Sequence, residues 1–207
     1  ALPIFALRDL QSLEVTQVFA NGQHVAQDGQ LLVPTRSRPL SLPTQTMKVA
    51  PLSPNDFEVR IDESNRAASE TQAVVRVIKG ARFTEWSETK TRVREGVAQL
   101  PSHLSRMTVI HRHGRSTVGP QTAFIEGWGR MKGAYATSYA HDSHNLVVYG
   151  VDPKEMALAA NAVIEMGGGS AVVREGQVVA QLAFPVAGLL SALPPQEVRS
   201  EEHTSEL

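Results

Sequence analysis

The feature that most limits the possible fold is one strongly periodic segment, residues 152–167. Met156, Ala159, Ala160, Val163 and Ile164 recur at helical spacing and form one apolar stripe. Asp152 suits the N-cap, Pro153 the first helical position, and Glu155 the reciprocal position of a capping box. Gly167 supplies a left-handed stop. This predicts a helix from Pro153 to about Met166. Around it the apolar runs are short and rich in β-branched or aromatic residues, which favours strands. The expected fold class is therefore α+β: the end of a small β-sandwich, then a mixed domain of short strands around one well-capped helix.

Punctuation divides the chain. Residues 4–33 read as strands joined by Asn21-Gly22 and Asp28-Gly29, pairs suited to turns that need positive φ at both central residues. Residues 34–56 carry five prolines among Ser and Thr and read as a linker or draped loop, with a domain boundary there. Strands are expected at Phe57–Ile61, Ala73–Ile78, Thr91–Val97, Arg106–His111, Ala134–Tyr139 and Asn145–Tyr149, with residues 65–72 as loop. A hairpin, Ser170–Arg174 and Gln177–Leu182, turns at Glu175-Gly176; residues 185–191 form a short helix or turn. Domain 57–198 ends before Arg199–Leu207, which lacks apolar periodicity and looks like the conceptual translation of a short-read sequencing adapter. The tail is expected to be foreign.

Composition narrows the function classes. The 207 residues are 42% hydrophobic with net charge −1 and no Cys. No apolar run approaches the ~20 residues that span a bilayer, so no membrane role is expected. A near-neutral balance gives no electrostatic footprint for nucleic acid. Without Cys there is neither a disulfide nor a zinc–thiolate site, which suits a cytoplasmic setting without excluding export.

Two segments hold four of the seven histidines. His111-Arg112-His113 ends a strand, where i and i+2 share a face and two imidazoles can ligate one metal; a hydrogen-bonded or solvated pair is the plainer alternative. His141-Asp142-Ser143-His144-Asn145 places five hydrogen-bonding residues between two apolar strands. Asp, Ser and Asn suit a turn, but the histidines need another reason, and a carboxylate beside an imidazole can fix its tautomer. Gly167-Gly168-Gly169 follows a helix and precedes a strand, the reverse of a phosphate-cradling loop, so it reads as a helix stop. Trp86 and Trp128 read as packing, although Trp128 sits between two glycines.

The run from Val109 to Leu190 resembles the C-terminal region of bacterial adenine deaminases, of the amidohydrolase superfamily. The likeness lies in Arg112-His113-Gly114, Gly127-Trp128-Gly129, Lys132-Gly133-Ala134, the His141–Asn145 segment, Met156–Ala159 with Asn161, the triple glycine, and Pro185–Ser191. Residues 5–33 are similar to the last strands of the β-sandwich beside the family's barrel. The resemblance implies hydrolysis of adenine to hypoxanthine and ammonia by water activated on a divalent metal, manganese or iron. The ligands of that metal lie in a barrel this chain lacks, so the resemblance implies no metal ligand and no catalytic residue here, and a fragment inactive alone. It also implies that His141, Asp142, Ser143, His144 and Asn145, with Arg112 and His113 nearby, serve at the barrel mouth close to adenine or to groups around it. The family has an acidic residue where this chain has His111, which weakens a metal role there. A homo-oligomer is expected. Two other readings stay open: a non-catalytic oligomerisation or regulatory module, and an independent metallohydrolase built on His111, His113, His141 and His144.

Overall fold

A computed structural model describes residues 2–34, 42–44, 46–62, 68–79, 83–195 and 197–198. The expected foreign tail, 199–207, lies outside the described residues. The chain forms two compact units, residues 1–41 and 42–207.

The first unit is an antiparallel four-stranded sheet of β1 (Ile4–Leu7), β2 (Val15–Ala20), β3 (Gln23–Gln27) and β4 (Gln30–Leu31), in that order. Both expected turns occur. Asn21 and Gly22 have φ of 50° and 78°, Asp28 and Gly29 46° and 79°, the left-handed pairs that match the twist of a hairpin. None of its described side chains is fully buried, and Ile4 and Phe5 are exposed.

The second unit is a nine-stranded sheet with one helix. Its strands are β5 (Glu70–Lys79), β6 (Phe83–Arg94), β7 (Val97–Ala98), β8 (Ser105–Ile110), β9 (Gln121–Glu126), β10 (Ala134–Thr137), β11 (Leu146–Gly150), β12 (Gly169–Arg174) and β13 (Gln177–Ala183). They lie in the order β13-β12-β10-β11-β8-β9-β5-β6-β7. Among these pairings only β5 with β9 is parallel.

The helix, α1 (Pro153–Glu165), packs on β10, β11 and β12. Met156, Ala159, Ala160 and Val163 are fully buried against Ala134, Ala136, Val148, Ala171 and Val173. Burying Met156 alone stabilises by about 2 kcal/mol. The small residues let the helix come close: a Cβ on Gly150 would lie 2.8 Å from the Met156 side chain. Asp152 caps the first turn by accepting the Lys154 N–H at 2.8 Å. The reciprocal half of the capping box is not formed, because Glu155 instead accepts the Gly176 N–H at 3.1 Å and ties α1 to the β12–β13 turn. At the other end Gly167 donates to Ile164 O and Gly168 to Val163 O, both at 3.0 Å, the bonds of a Schellman stop.

The Pro-rich segment is more than a spacer from residue 42 onward. Met47, Val49 and Leu52 pack on the helix core, and Asn161 brackets Leu52, accepting from its N–H at 2.8 Å and donating to its carbonyl at 2.9 Å. A smaller core of Ala73, Val75, Ala98, Leu104 and Phe124 lies under the other half of the sheet.

Two expected strands are redrawn, and others were not expected. Phe57–Ile61 is not a strand: Asp56 accepts from the Ser53 N–H and hydroxyl at 2.7 and 2.8 Å, a 3-10 turn forms at Pro54–Phe57, and Phe57 enters the core. What extended pairing remains is a single bridge from Arg60 to Val97. Thr91–Val97 spans the end of β6, the Glu95-Gly96 turn and the start of β7. Residues Phe83–Lys90 and all of β9 were not expected as strands. Of the stretch 65–72 expected as loop, residues 65–67 lie outside the described residues and Glu70–Gln72 already belong to β5. In β6 residues 83–86 are exposed on both faces, and from Ser87 to Thr91 the inward positions are taken by Ser87, Thr89 and Thr91, which give no apolar alternation.

Candidate functional site

The two histidine segments, some 30 positions apart in sequence, are neighbours in space. β8 and β11 pair antiparallel with Leu146 opposite Ile110, so the residues just after β8 and just before β11 emerge together at one sheet end. His113 Nε2 lies 3.4 Å from the Ser143 carbonyl, and the His111 and His113 rings meet edge to face at 5.4 Å.

Arg112 joins them. It is the largest fully buried side chain, 1% exposed, and among the described residues no carboxylate pairs with it. Its Nε donates to His144 O at 2.6 Å, Nη1 to Thr46 Oγ1 at 3.0 Å, and Nη2 to Ala187 O at 2.8 Å. One planar fork thus holds three segments that otherwise have little reason to meet. Burial lowers its pKa. The turn it grips needs Gly188: a Cβ there would sit 2.6 Å from Nη1, and φ is +71°. The side chain expected near adenine is therefore a buried clamp beneath the loop.

The loop itself is strained and outward-facing. Asp142 and His144 adopt φ of 70° and 48°, unusual for residues with a Cβ. A turn closes with His144 N donating to Ala140 O at 2.7 Å. The His141 and Asp142 side chains are 92% and 95% exposed. Asp142 Oδ1 is 3.3 Å from His141 Nδ1, but that nitrogen accepts the Asp142 N–H at 2.9 Å, so in the neutral ring its proton is on Nε2. The carboxylate does not orient that imidazole here. Ser143 is exposed, whereas His144 Nδ1 and Asn145 Oδ1 are enclosed with no hydrogen-bond partner among the described residues. Two enclosed polar atoms without a partner leave the bonding beneath this short loop incomplete.

The structure does not gather His111, His113, His141 and His144 into a metal centre. Among the described residues no group of three or more His, Asp or Glu converges on a point. His111 Nε2 is already accepting the Arg115 N–H at 3.2 Å. The described residues do not fit a divalent metal.

Sequence reasoning missed Ser138. It is fully buried, donates to Gly188 O at 2.6 Å and accepts the Gly169 N–H at 2.8 Å. Inside an apolar run nothing distinguishes it from a strand residue. Trp128 packs edge to face on Tyr149 at 5.5 Å.

The buried clamp, the strained histidine loop and the glycine-supported turn are all built from the segments that carried the resemblance. Residues 81–206 match the family model described as the adenine deaminase C-terminal domain, and the chain belongs to that family. Among its relatives, the adenine deaminase of Serratia proteamaculans (strain 568) is 46% identical over 193 residues, covering 93% of this chain and 32% of the relative. That of Klebsiella pneumoniae (strain 342) is 45% identical over 190 residues, 91% and 31% of the two chains. Adenine deaminase 2 of Rhizobium meliloti (strain 1021) is 42% identical over 195 residues, 94% and 32%. The chain thus spans about one third of the length of these relatives.

Proposed function

We propose that this chain works as the C-terminal part of an adenine deaminase, which converts adenine and water to hypoxanthine and ammonia, and that the 141–145 loop faces the catalytic barrel. The supporting observation is the pairing of a strained, outward-facing loop with a buried arginine that ties it to two other segments. His141, Asp142, His144 and Asn145 supply hydrogen-bonding groups toward the purine or the residues around it. Arg112 is a positioning residue, and His113 buttresses the loop through Ser143. On this reading residues 1–33 are one layer of a β-sandwich, which accounts for the exposure of Ile4 and Phe5. A barrel-bound manganese or iron, a cytoplasmic homo-oligomer and a place in purine salvage belong to the same proposal and rest on the family alone.

The test uses the full-length enzyme. Asp142→Ala and His144→Ala are expected to lower kcat/KM for adenine by roughly 10–100-fold with an unchanged melting temperature, the size of a lost positioning contact. Unchanged kinetics in both folded variants would remove the loop from the site.

A further inference from the structure

One face of the nine-stranded sheet is covered by α1 and residues 42–61. On the other, over β10, β12 and β13, lies a cleft of about 500 Å3. That is within the roughly 300–1,000 Å3 range of small-molecule sites. No Lys, Arg, His, Asp or Glu lines it among the described residues.

Its floor is a row of hydroxyls. Thr137 Oγ1 lies 2.9 Å from Ser170 Oγ, which lies 3.3 Å from the Tyr135 phenol; Thr137 Oγ1 also accepts the Tyr139 N–H at 3.1 Å. Three hydroxyls joined by two bonds always leave one O–H without an acceptor, whichever way the chain of bonds runs. The floor therefore offers a donor as well as free lone pairs. Tyr139 and Phe184 add aromatic rings and Val172 an aliphatic surface.

The cleft is preformed. Phe184 N–H bonds to Gly168 O at 2.9 Å, and Ser138 ties β12 to the 184–190 turn. Glycine is required at this seam, since a Cβ on Gly168 would lie 2.4 Å from Gly188 Cα. A rigid apolar cleft with a hydroxyl floor and no ionic group suits a neutral, flat ligand that carries both donors and acceptors. It disfavours a phosphorylated one, whose charge would be desolvated without a partner.

We infer that this cleft is a ligand site for a neutral planar heterocycle, namely a free purine base; the choice of purine rests on the proposed deaminase reading, the neutral planar class on the cleft alone.

The test is titration of the 207-residue chain with adenine, hypoxanthine and AMP, followed by backbone-amide NMR. Saturable shifts confined to residues around Tyr135, Ser170 and Val172 are expected. For a ligand of this size a Kd on the order of 0.1–1 mM is reasonable. AMP should bind at least about tenfold more weakly, and Tyr135→Phe should weaken adenine several-fold. Val172→Trp, checked for an unchanged melting temperature, should abolish binding by filling the cleft. The inference is overturned if neither base gives saturable shifts, if AMP binds as tightly as adenine, or if folded Val172→Trp still binds. Turnover by the full-length enzyme is read separately: loss of adenine deamination with purine binding retained would overturn only the deaminase reading.

Discussion

At the scale of single residues the most consequential group is Arg112. A buried guanidinium without a carboxylate partner is costly unless its donors are spent, and here they are spent on His144 O, Ala187 O and Thr46. Removing it leaves buried carbonyls unpaired. Arg112→Met is expected to destabilise the chain by about 3 kcal/mol in urea unfolding. Arg112→Lys should recover little of that loss, because one ammonium cannot span three directions. A loss under about 1 kcal/mol for the Met variant would contradict the clamp. His113 gives a pH signature. Burial first, then the charge of Arg112, holds its pKa below the ordinary imidazole value, against an opposing bond to Ser143. The folded chain therefore takes up this proton less readily than the unfolded chain. The effect is absent above about pH 6.5, and stability is lost as pH falls from there through the folded pKa. His113→Gln should flatten the fall in melting temperature between about pH 7.5 and 5.5; an unchanged slope would assign the effect elsewhere.

At the scale of elements, the glycines after α1 do two different jobs. Gly167 ends the helix with φ +76° and a Cβ there would meet only Thr44 O, in ordinary contact at 3.6 Å, whereas Gly169 has φ +146° and would place a Cβ 2.2 Å from Leu182 O. Gly167→Ala is expected to cost about 1 kcal/mol, the left-handed penalty alone. Gly169→Ala should cost at least about 3 kcal/mol, since the β12–β13 pairing itself must give way. Chemical denaturation of the pair checks this, and equal losses would mean that only the helix stop matters. The helix, its cap residue and stop, and the Gly turns were all legible in the sequence, because each depends on residues within one turn of each other. Glu155 shows the limit: its spacing from Asp152 fits a capping box, yet Gly176, 21 positions away, offers an N–H that takes the carboxylate instead.

For the whole molecule, the two units differ in how well they are built. The sheet of residues 1–41 has no fully buried described side chain, and four short strands with one wet face and no core are marginal alone. The 42–207 unit has two buried clusters. Limited proteolysis followed by mass spectrometry should therefore cut within residues 1–41 first and leave a resistant product that begins near Leu42. First cleavage inside 83–195 would reverse this ranking. The sheet face opposite α1 leaves Trp86 and Val109 exposed at its surface. Strand β6 was invisible to a search for apolar alternation because its inward positions hold Ser87, Thr89 and Thr91.

The sequence by itself determined the α+β class, the helix with its cap residue and stop, the hairpin turns and the kinship with adenine deaminases. These follow from local dihedral preferences, short-range spacing and motif order, all written in neighbouring residues. Only the tertiary structure decided that Arg112 lies under the histidine loop rather than on it, and that the four histidines do not converge. The acceptors of Arg112 lie 32 and 75 positions away, and no local pattern records where a buried donor finds its carbonyls once the strands between them have paired.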